Sequence, residues 1–209
     1  MKNIRILSNY FGDVLTYAAI AQSERIILEH CDNYQKQTAR NRTVIATANG
    51  LLKLTVPIKH TTSAIRQKTA SVSLENAFTW QRDHWRSLQI AYRTSPYFEY
   101  YEDDLKDLFL KEYTNLEALN TDTLKIMLEL LQLDQPVQRS TAYHLDFNTE
   151  HDFRFLSNFK RKNKTSLLPY RQVFDDKTGF LPHLSILDLL FNLGPESNSY
   201  LLKQPIIIN

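Results

Sequence analysis

Short, mostly apolar runs near the start of the chain read as buried strands, over Ile4–Leu7 and Arg25–Leu28. Between them Val14–Ala21 is apolar or small at every position, which predicts a buried helix of about two turns. Asp13 is its candidate N-cap, because a short carboxylate can accept from the first free amides of a helix. Two strands joined by so short a helix are expected to pair in parallel. The β-prone runs Thr43–Ala48 and Leu51–Val56 flank Asn49-Gly50, a dipeptide that tolerates the positive φ of a tight hairpin turn. Pro57 ends the second of these strands.

Helical spacing takes over further on. Trp80–Tyr92 repeats its apolar residues every three to four positions after Thr79 as cap, and Thr94-Ser95-Pro96 breaks it. A second helix is predicted to run to about Tyr113, carried by Tyr101, Leu105, Leu108 and Phe109. A third is predicted after Thr121, carried by Leu124, Met127, Leu128 and Leu131. Val137–Ser140 reads as a short strand. Lys59–Ser73 reads as a polar loop or lid with Ala70–Leu74 extended, and Phe147–Thr165 as a polar stretch carrying Lys160, Arg161, Lys162 and Lys164. Ser185 and Asp188 have the spacing of a capping box, ahead of a helix to Asn192 closed by Gly194. The predicted fold is α/β: a Rossmann-like strand–helix–strand start with an added hairpin, then a mostly helical middle and C-terminal part. One domain over 1–209 is expected, with an α/β part to about 75, a helical part over about 79–134 and a C-terminal part from 135.

Composition narrows the classes. The 209 residues are 43% hydrophobic, enough for a sizeable core, and the formal net charge of +2 lacks the basic excess of a dedicated nucleic-acid binder. The single cysteine, Cys31, excludes an internal disulfide and fits a reducing cytoplasm. No apolar run approaches the roughly 20 residues that span a bilayer, and a cytoplasmic location is expected. Glycine-rich phosphate loops, H-E-x-x-H, C-x-x-C and G-x-S-x-G patterns do not occur. No metal site and no specific cofactor is therefore predicted.

Candidate chemistry gathers where a parallel sheet places ligands, outside the carboxyl ends of its strands. Those ends are Ser8-Asn9-Tyr10 and Glu29-His30, and the cationic stretch Cys31–Arg42 follows the second. Lys36, Arg40 and Arg42 are candidates to hold an anion, since guanidinium grips phosphate or carboxylate in a fork. An ordinary solvated sheet edge is the competing reading. Tyr10, Asn33, Tyr34, Gln37 and Asn41 are candidate substrate contacts beside them. Glu29 could bind a sugar hydroxyl or act as a base. His84, four residues after Trp80, is a candidate acid/base or a hydrogen-bonded core residue, and Trp80 and Trp85 could stack on a sugar or base. His30 and Cys31 are adjacent on a strand and face opposite ways, which argues against a dyad.

The segments S-N-Y-F-G-D-V-L-T-Y, E-H-C-D-N-Y-Q-K-Q-T-A-R-N-R, A-N-G-L-L-K-L-T-V-P-I, W-Q-R-D-H-W-R-S-L-Q-I-A-Y-R-T-S-P-Y-F-E-Y-Y and the terminal G-F-L-P-H-L-S-I-L-D-L-L-F-N-L-G-P follow in order along the chain. As a set they resemble the WbqC-like family of bacterial proteins. The chain departs from that family's usual pattern at Ser8-Asn9, Gly12-Asp13 and Glu29. The resemblance implies a part in surface-polysaccharide or lipopolysaccharide biosynthesis, and it brings no reaction with it. The ligand expected from residues and resemblance together is a phosphate-bearing small molecule such as a nucleotide-activated sugar, with group transfer as one activity. The alternative is a non-enzymatic binding or assembly protein of the same pathway.

Overall fold

The computed structural model describes residues 1–59, 67–144, 152–162 and 166–206. Three strands form a parallel sheet in the order β1-β2-β5: β1 is Asn3–Leu7, β2 Arg25–Glu29 and β5 Val137–Arg139. Arg5 pairs with Ile27, Leu7 with Glu29, and Ile27 with Gln138. Strand alternation puts Ile4, Ile6, Ile26 and Leu28 on one face of the sheet, and Arg5, Ile27 and Glu29 on the other. An isolated bridge from Arg5 to Asp152 extends pairing past β1.

Helix α1 (Val14–Ala21) crosses between β1 and β2 and is buried along its whole length. That explains its uninterrupted apolar sequence, since a helix covered on all sides needs no polar face. Asp13 caps it, accepting from the Thr16 amide at 3.1 Å. Its coverage comes from the sheet and from the C-terminal helices α7 (Ile186–Leu193) and α8 (Ser197–Lys203).

Strands β3 (Arg42–Thr47) and β4 (Gly50–Thr55) form the expected hairpin, with a different turn. Thr47 pairs with Gly50, so Ala48 and Asn49 form the tip. Only Gly50 takes a positive φ there, 97°, whereas a type I′ turn on Asn49-Gly50 would need two such residues. One left-handed glycine after the tip matches a bulge-type hairpin.

Helices α2 (Trp80–Tyr92) and α3 (Phe98–Leu110) follow the predicted pattern, with α3 ending three residues before Tyr113. Helix α4 spans Leu116–Leu130, so Thr121 lies inside it and is not its cap. Asn115 caps it instead, its side-chain oxygen accepting from the amides of Glu117 and Ala118. Thr69–Ser71 forms a 3-10 turn beside the start of α4, while Ser73 and Leu74 bridge to Asn115 and Ile58. The short helices α5 (Phe159–Lys162) and α6 (Asp175–Thr178) precede α7. Ser185 caps α7, but Asp188 does not reach back to close a capping box. Its carboxylate turns inward to Tyr92, Tyr170 and Gln172. The expected lid tip at 60–66 and Lys164 lie outside the described residues.

One hydrophobic cluster runs from Ile4 through the aromatics Phe11, Tyr92, Phe98 and Phe109 to Leu201. No helix among the described residues is long and apolar enough to cross a membrane.

Candidate functional site

The loop after β1 turns sharply at Phe11, a buried residue held at φ 44°. A non-glycine residue in that region carries backbone strain, which the surrounding contacts must hold. The Phe11 carbonyl accepts from the hydroxyls of Thr43 and Ser185, and the Tyr10 amide donates to the Ala39 carbonyl at 2.9 Å. The first loop is thereby fixed against the 38–43 segment, as the parallel pairing of β1 and β2 leads one to expect.

Three groups of side chains collect around this edge. The first is aromatic. The Tyr10 hydroxyl meets Nδ1 of His84 at 3.0 Å, and Trp80 packs edge-on against both rings. Burial holds the His84 imidazole down at about 4, against donation to the Thr55 backbone and the nearby Asp83 charge, which favour the proton. Trp85 points elsewhere, into a cluster with Phe98 and Phe109.

The second group is built on Glu29. Its carboxylate accepts from Arg5 at 2.6 Å, Ser140 Oγ at 2.6 Å and the Cys31 amide at 3.0 Å. Burial pushes its pKa up, but these three donors outweigh it and the net direction is down. Glu29 is thus a deeply held carboxylate.

The third group surrounds the cationic stretch. Arg40 is buried and forks onto one oxygen of Asp32, with Nε at 3.0 Å and the second nitrogen at 2.7 Å. It does not share an outward face with Arg42. Asn41 is also buried and donates to the Val56 carbonyl. Tyr34 stands near both arginines, whose charges oppose the upward push of burial on its phenol. Arg42, Asn33 and Tyr34 are half-buried, and Lys36 and Gln37 are exposed.

Residues that the sequence did not single out complete this third group. Asn120 donates to the carbonyls of Arg40 (2.8 Å) and Ser8 (3.4 Å), and the Thr69 amide donates to the Asp32 carbonyl. Glu117 holds Nδ1 of His30 through one carboxylate oxygen. Several polar atoms here have no hydrogen-bond partner among the described residues: Asp32 Oδ1, Arg42 Nε, Thr69 Oγ1, Glu117 Oε2 and Asn120 Oδ1. Asp32, Thr69, Glu117 and Asn120 are 3%, 2%, 5% and 0% exposed, so bulk water does not reach them freely. Unmatched buried polar atoms cost about 1–3 kcal/mol each, and these five lie at this edge, while others among the described residues lie away from it, at Gln135 and Gln204. A signal for part of this lay in the sequence: Glu117, Asn120 and Thr121 fall on one face of a helix once its start is placed at Leu116. No group of three or more metal-ligating side chains occurs among the described residues.

The model of the WbqC-like protein family matches residues 9–169, from the Tyr10 loop through α5. The chain belongs to the WbqC-like protein family. The uncharacterised protein Rv1507c of Mycobacterium tuberculosis is 28% identical, over 96% of this chain and 98% of its own length. No solved structure matches. The matched segment includes the side chains of the three groups apart from Arg5, whereas α7 and α8, which cover α1, lie beyond it.

Proposed function

We propose that this WbqC-like chain binds a nucleotide-activated sugar, or a similar phosphate-bearing ligand, at the carboxyl edge of β1 and β2. In this reading it serves bacterial surface-polysaccharide or lipopolysaccharide biosynthesis in the cytoplasm. The pathway follows from what the family resemblance implies. The observation that carries the ligand is the set of unpartnered buried polar atoms on Asp32, Thr69, Glu117 and Asn120. Three of these oxygens accept and the Thr69 hydroxyl can do both, and sugar hydroxyls supply the donors such a set calls for. Arg42 and Lys36 are the cations for the phosphates, and Tyr34 and Asn33 the contacts for sugar or base. Arg40, Asn41, Tyr10 and Trp80 hold the walls. Group transfer at this edge would draw its proton carrier from His30, half exposed and oriented by Glu117. His84 and Glu29, both engaged on all sides, serve as positioning residues.

A thermal-shift panel of nucleotide sugars, with ATP and coenzyme A, tests the reading. Saturation at about 100 times Kd adds about 2.7 kcal/mol, a rise of several degrees. The rise should shrink in Arg42→Ala and Thr69→Val. No rise with any anionic ligand, or a rise that both variants keep, would sink it.

A second reading, a non-enzymatic binding or assembly protein, draws on Ile90 and Tyr100, which stand exposed on α2 and α3. Light scattering after size exclusion separates the two: a monomer with a nucleotide-sugar shift supports the first.

A further inference from the structure

The four most exposed large apolar side chains among the described residues are Ile90, Tyr100, Leu110 and Phe78, at 75%, 73%, 70% and 66%. Ile90 lies on α2, Tyr100 and Leu110 on α3, and Phe78 just before α2. The two helices run antiparallel, since Gln81 donates to the Lys111 carbonyl at 2.7 Å and Gln89 to the Glu102 carboxylate at 2.9 Å. Helical spacing puts Arg82, Arg86, Ile90 and Arg93 on one exposed side of α2 and its C-cap. The same spacing puts Glu99, Asp103, Asp107 and Leu110 on the exposed side of α3. Arg86, Glu99, Asp103 and Asp107 make no ion pair with a described residue. Each row has one exposed charge of the other sign beside it: Asp83, paired with Arg82, and Lys106.

We propose that this face joins two copies of the chain, with the outer side of α2 seated on the partner's α3. A two-fold axis running along the helices, between α2 and α3, carries each α2 over the partner's α3 without changing its height. The basic row then meets the acidic row twice, once on each side of the axis. Helix rise fixes the pairs. With Gln89 level with Glu102 and about 1.5 Å per residue, Arg86 falls between the heights of Asp103 and Asp107. Arg93 falls at the height of Glu99, and Ile90 near that of Tyr100, so apolar contacts form along the same rows. Exposed apolar side chains alone fit many partners. Rows of opposite sign, side by side on one face, select a second copy of that face. None of these side chains belongs to the Asp32–Asn120 group, so the dimer leaves the carboxyl edge free, and the two proposals stand or fall separately.

Sedimentation velocity of the full chain across a micromolar concentration series tests it. A species of twice the chain mass is expected. Arg86→Glu and Asp103→Arg each set like charges against one another twice per dimer, and each alone should weaken association about tenfold or more. Mixed in equal amounts, the two variants again oppose unlike charges at both contacts, so the mixture should associate about as tightly as wild type. Both changes are on exposed side chains and should leave the far-ultraviolet circular dichroism unaltered. Leu51→Ser, at an exposed site on the β3–β4 hairpin, should leave association unchanged. A chain that stays monomeric throughout the series would overturn the proposal. So would a dimer that both reversals leave intact, a mixture no tighter than either variant alone, or a loss in Leu51→Ser as large as theirs.

Discussion

The Tyr10 hydroxyl and Nδ1 of His84 lie 3.0 Å apart inside the protein, bridging the first loop to helix α2. Because the ring also donates to the Thr55 backbone, the nitrogen facing Tyr10 accepts, and the imidazole is neutral. A histidine with its pKa held at about 4, against an ordinary value near 6.5, binds fewer protons folded than unfolded. Its contribution is present above pH 6.5 and is lost as pH falls towards 4, by roughly 3 kcal/mol. His84→Gln should therefore remove an acid-destabilising slope between pH 6.5 and 4 in urea unfolding. An unchanged slope would mean that His84 is charged in the folded protein.

Asp188 acts in the opposite sense. Burial raises its pKa to about 6 despite hydrogen bonds from Tyr170, Tyr92 and Gln172. The folded state then holds a proton that the unfolded state has lost, so stability from this group rises as pH falls from 6 to about 4. The size is again roughly 3 kcal/mol. The two slopes oppose each other over that window. Asp188→Asn should leave the protein more acid-sensitive than wild type between pH 6 and 4, and a double variant with His84→Gln should show little slope from either site.

The buried Arg40–Asp32 pair separates support from ligand contact within the cationic stretch. Arg40→Ala strands a carboxylate at 3% exposure and should cost about 3–5 kcal/mol in chemical unfolding. Arg42 has no hydrogen-bond partner at Nε, and Arg42→Ala should cost about 1 kcal/mol or less. Arg40→Met with Asp32→Leu should recover much of the loss, because the cost lies in the unpaired charge. An Arg40→Ala variant as stable as wild type would contradict the burial of this pair.

Gly194 closes α7 at φ 53°, and a Cβ there would lie 2.5 Å from the Tyr97 ring. Gly194→Ala meets both left-handed strain, about 1–2 kcal/mol, and a clash of about 1–3 kcal/mol. In a Tyr97→Ala background the clash is gone and the strain remains. The same substitution should therefore cost less there, and thermal unfolding of the four-member cycle measures the difference.

Patterns that repeat along the chain were legible in the sequence: the strand–helix–strand start, the limits of α2, the Asp13 cap and the Gly194 stop. Each rests on local periodicity or on one side chain meeting nearby amides. The hairpin tip shifted by one residue because a single left-handed glycine suffices for a bulged turn. Asp188 has capping-box spacing, yet two tyrosines and a glutamine from distant segments outcompete the cap. The site was half legible for the same reason. Sequence order placed Tyr10 beside the 29–42 segment, but whether an arginine faces solvent or a buried partner depends on Asp32, and nothing local distinguishes Arg40 from Arg42. Thr69 and Asn120 join the edge only through packing of α4.

Asn115 is where that packing is set, and it offers the sharpest local test. Its oxygen accepts from the Glu117 and Ala118 amides at 2.9 and 3.1 Å, while its nitrogen donates to the Ala70 carbonyl at 2.9 Å. One side chain thus starts α4 and ties the Thr69 turn to it. Asn115→Ser keeps a capping oxygen and loses the tie, whereas Asn115→Ala loses both. Loss of a cap costs about 1 kcal/mol, and the loss of the bond to the half-buried Ala70 carbonyl adds up to about as much again. Stability should fall in the order wild type, serine, alanine. In the alanine variant, amide exchange should quicken at Glu117 and Ala118, and in both variants it should quicken at Val72, whose amide closes the Thr69 turn. Equal exchange at Val72 in wild type and serine variants would mean that the turn stands without Asn115, leaving Thr69 to be positioned by Asp32 alone.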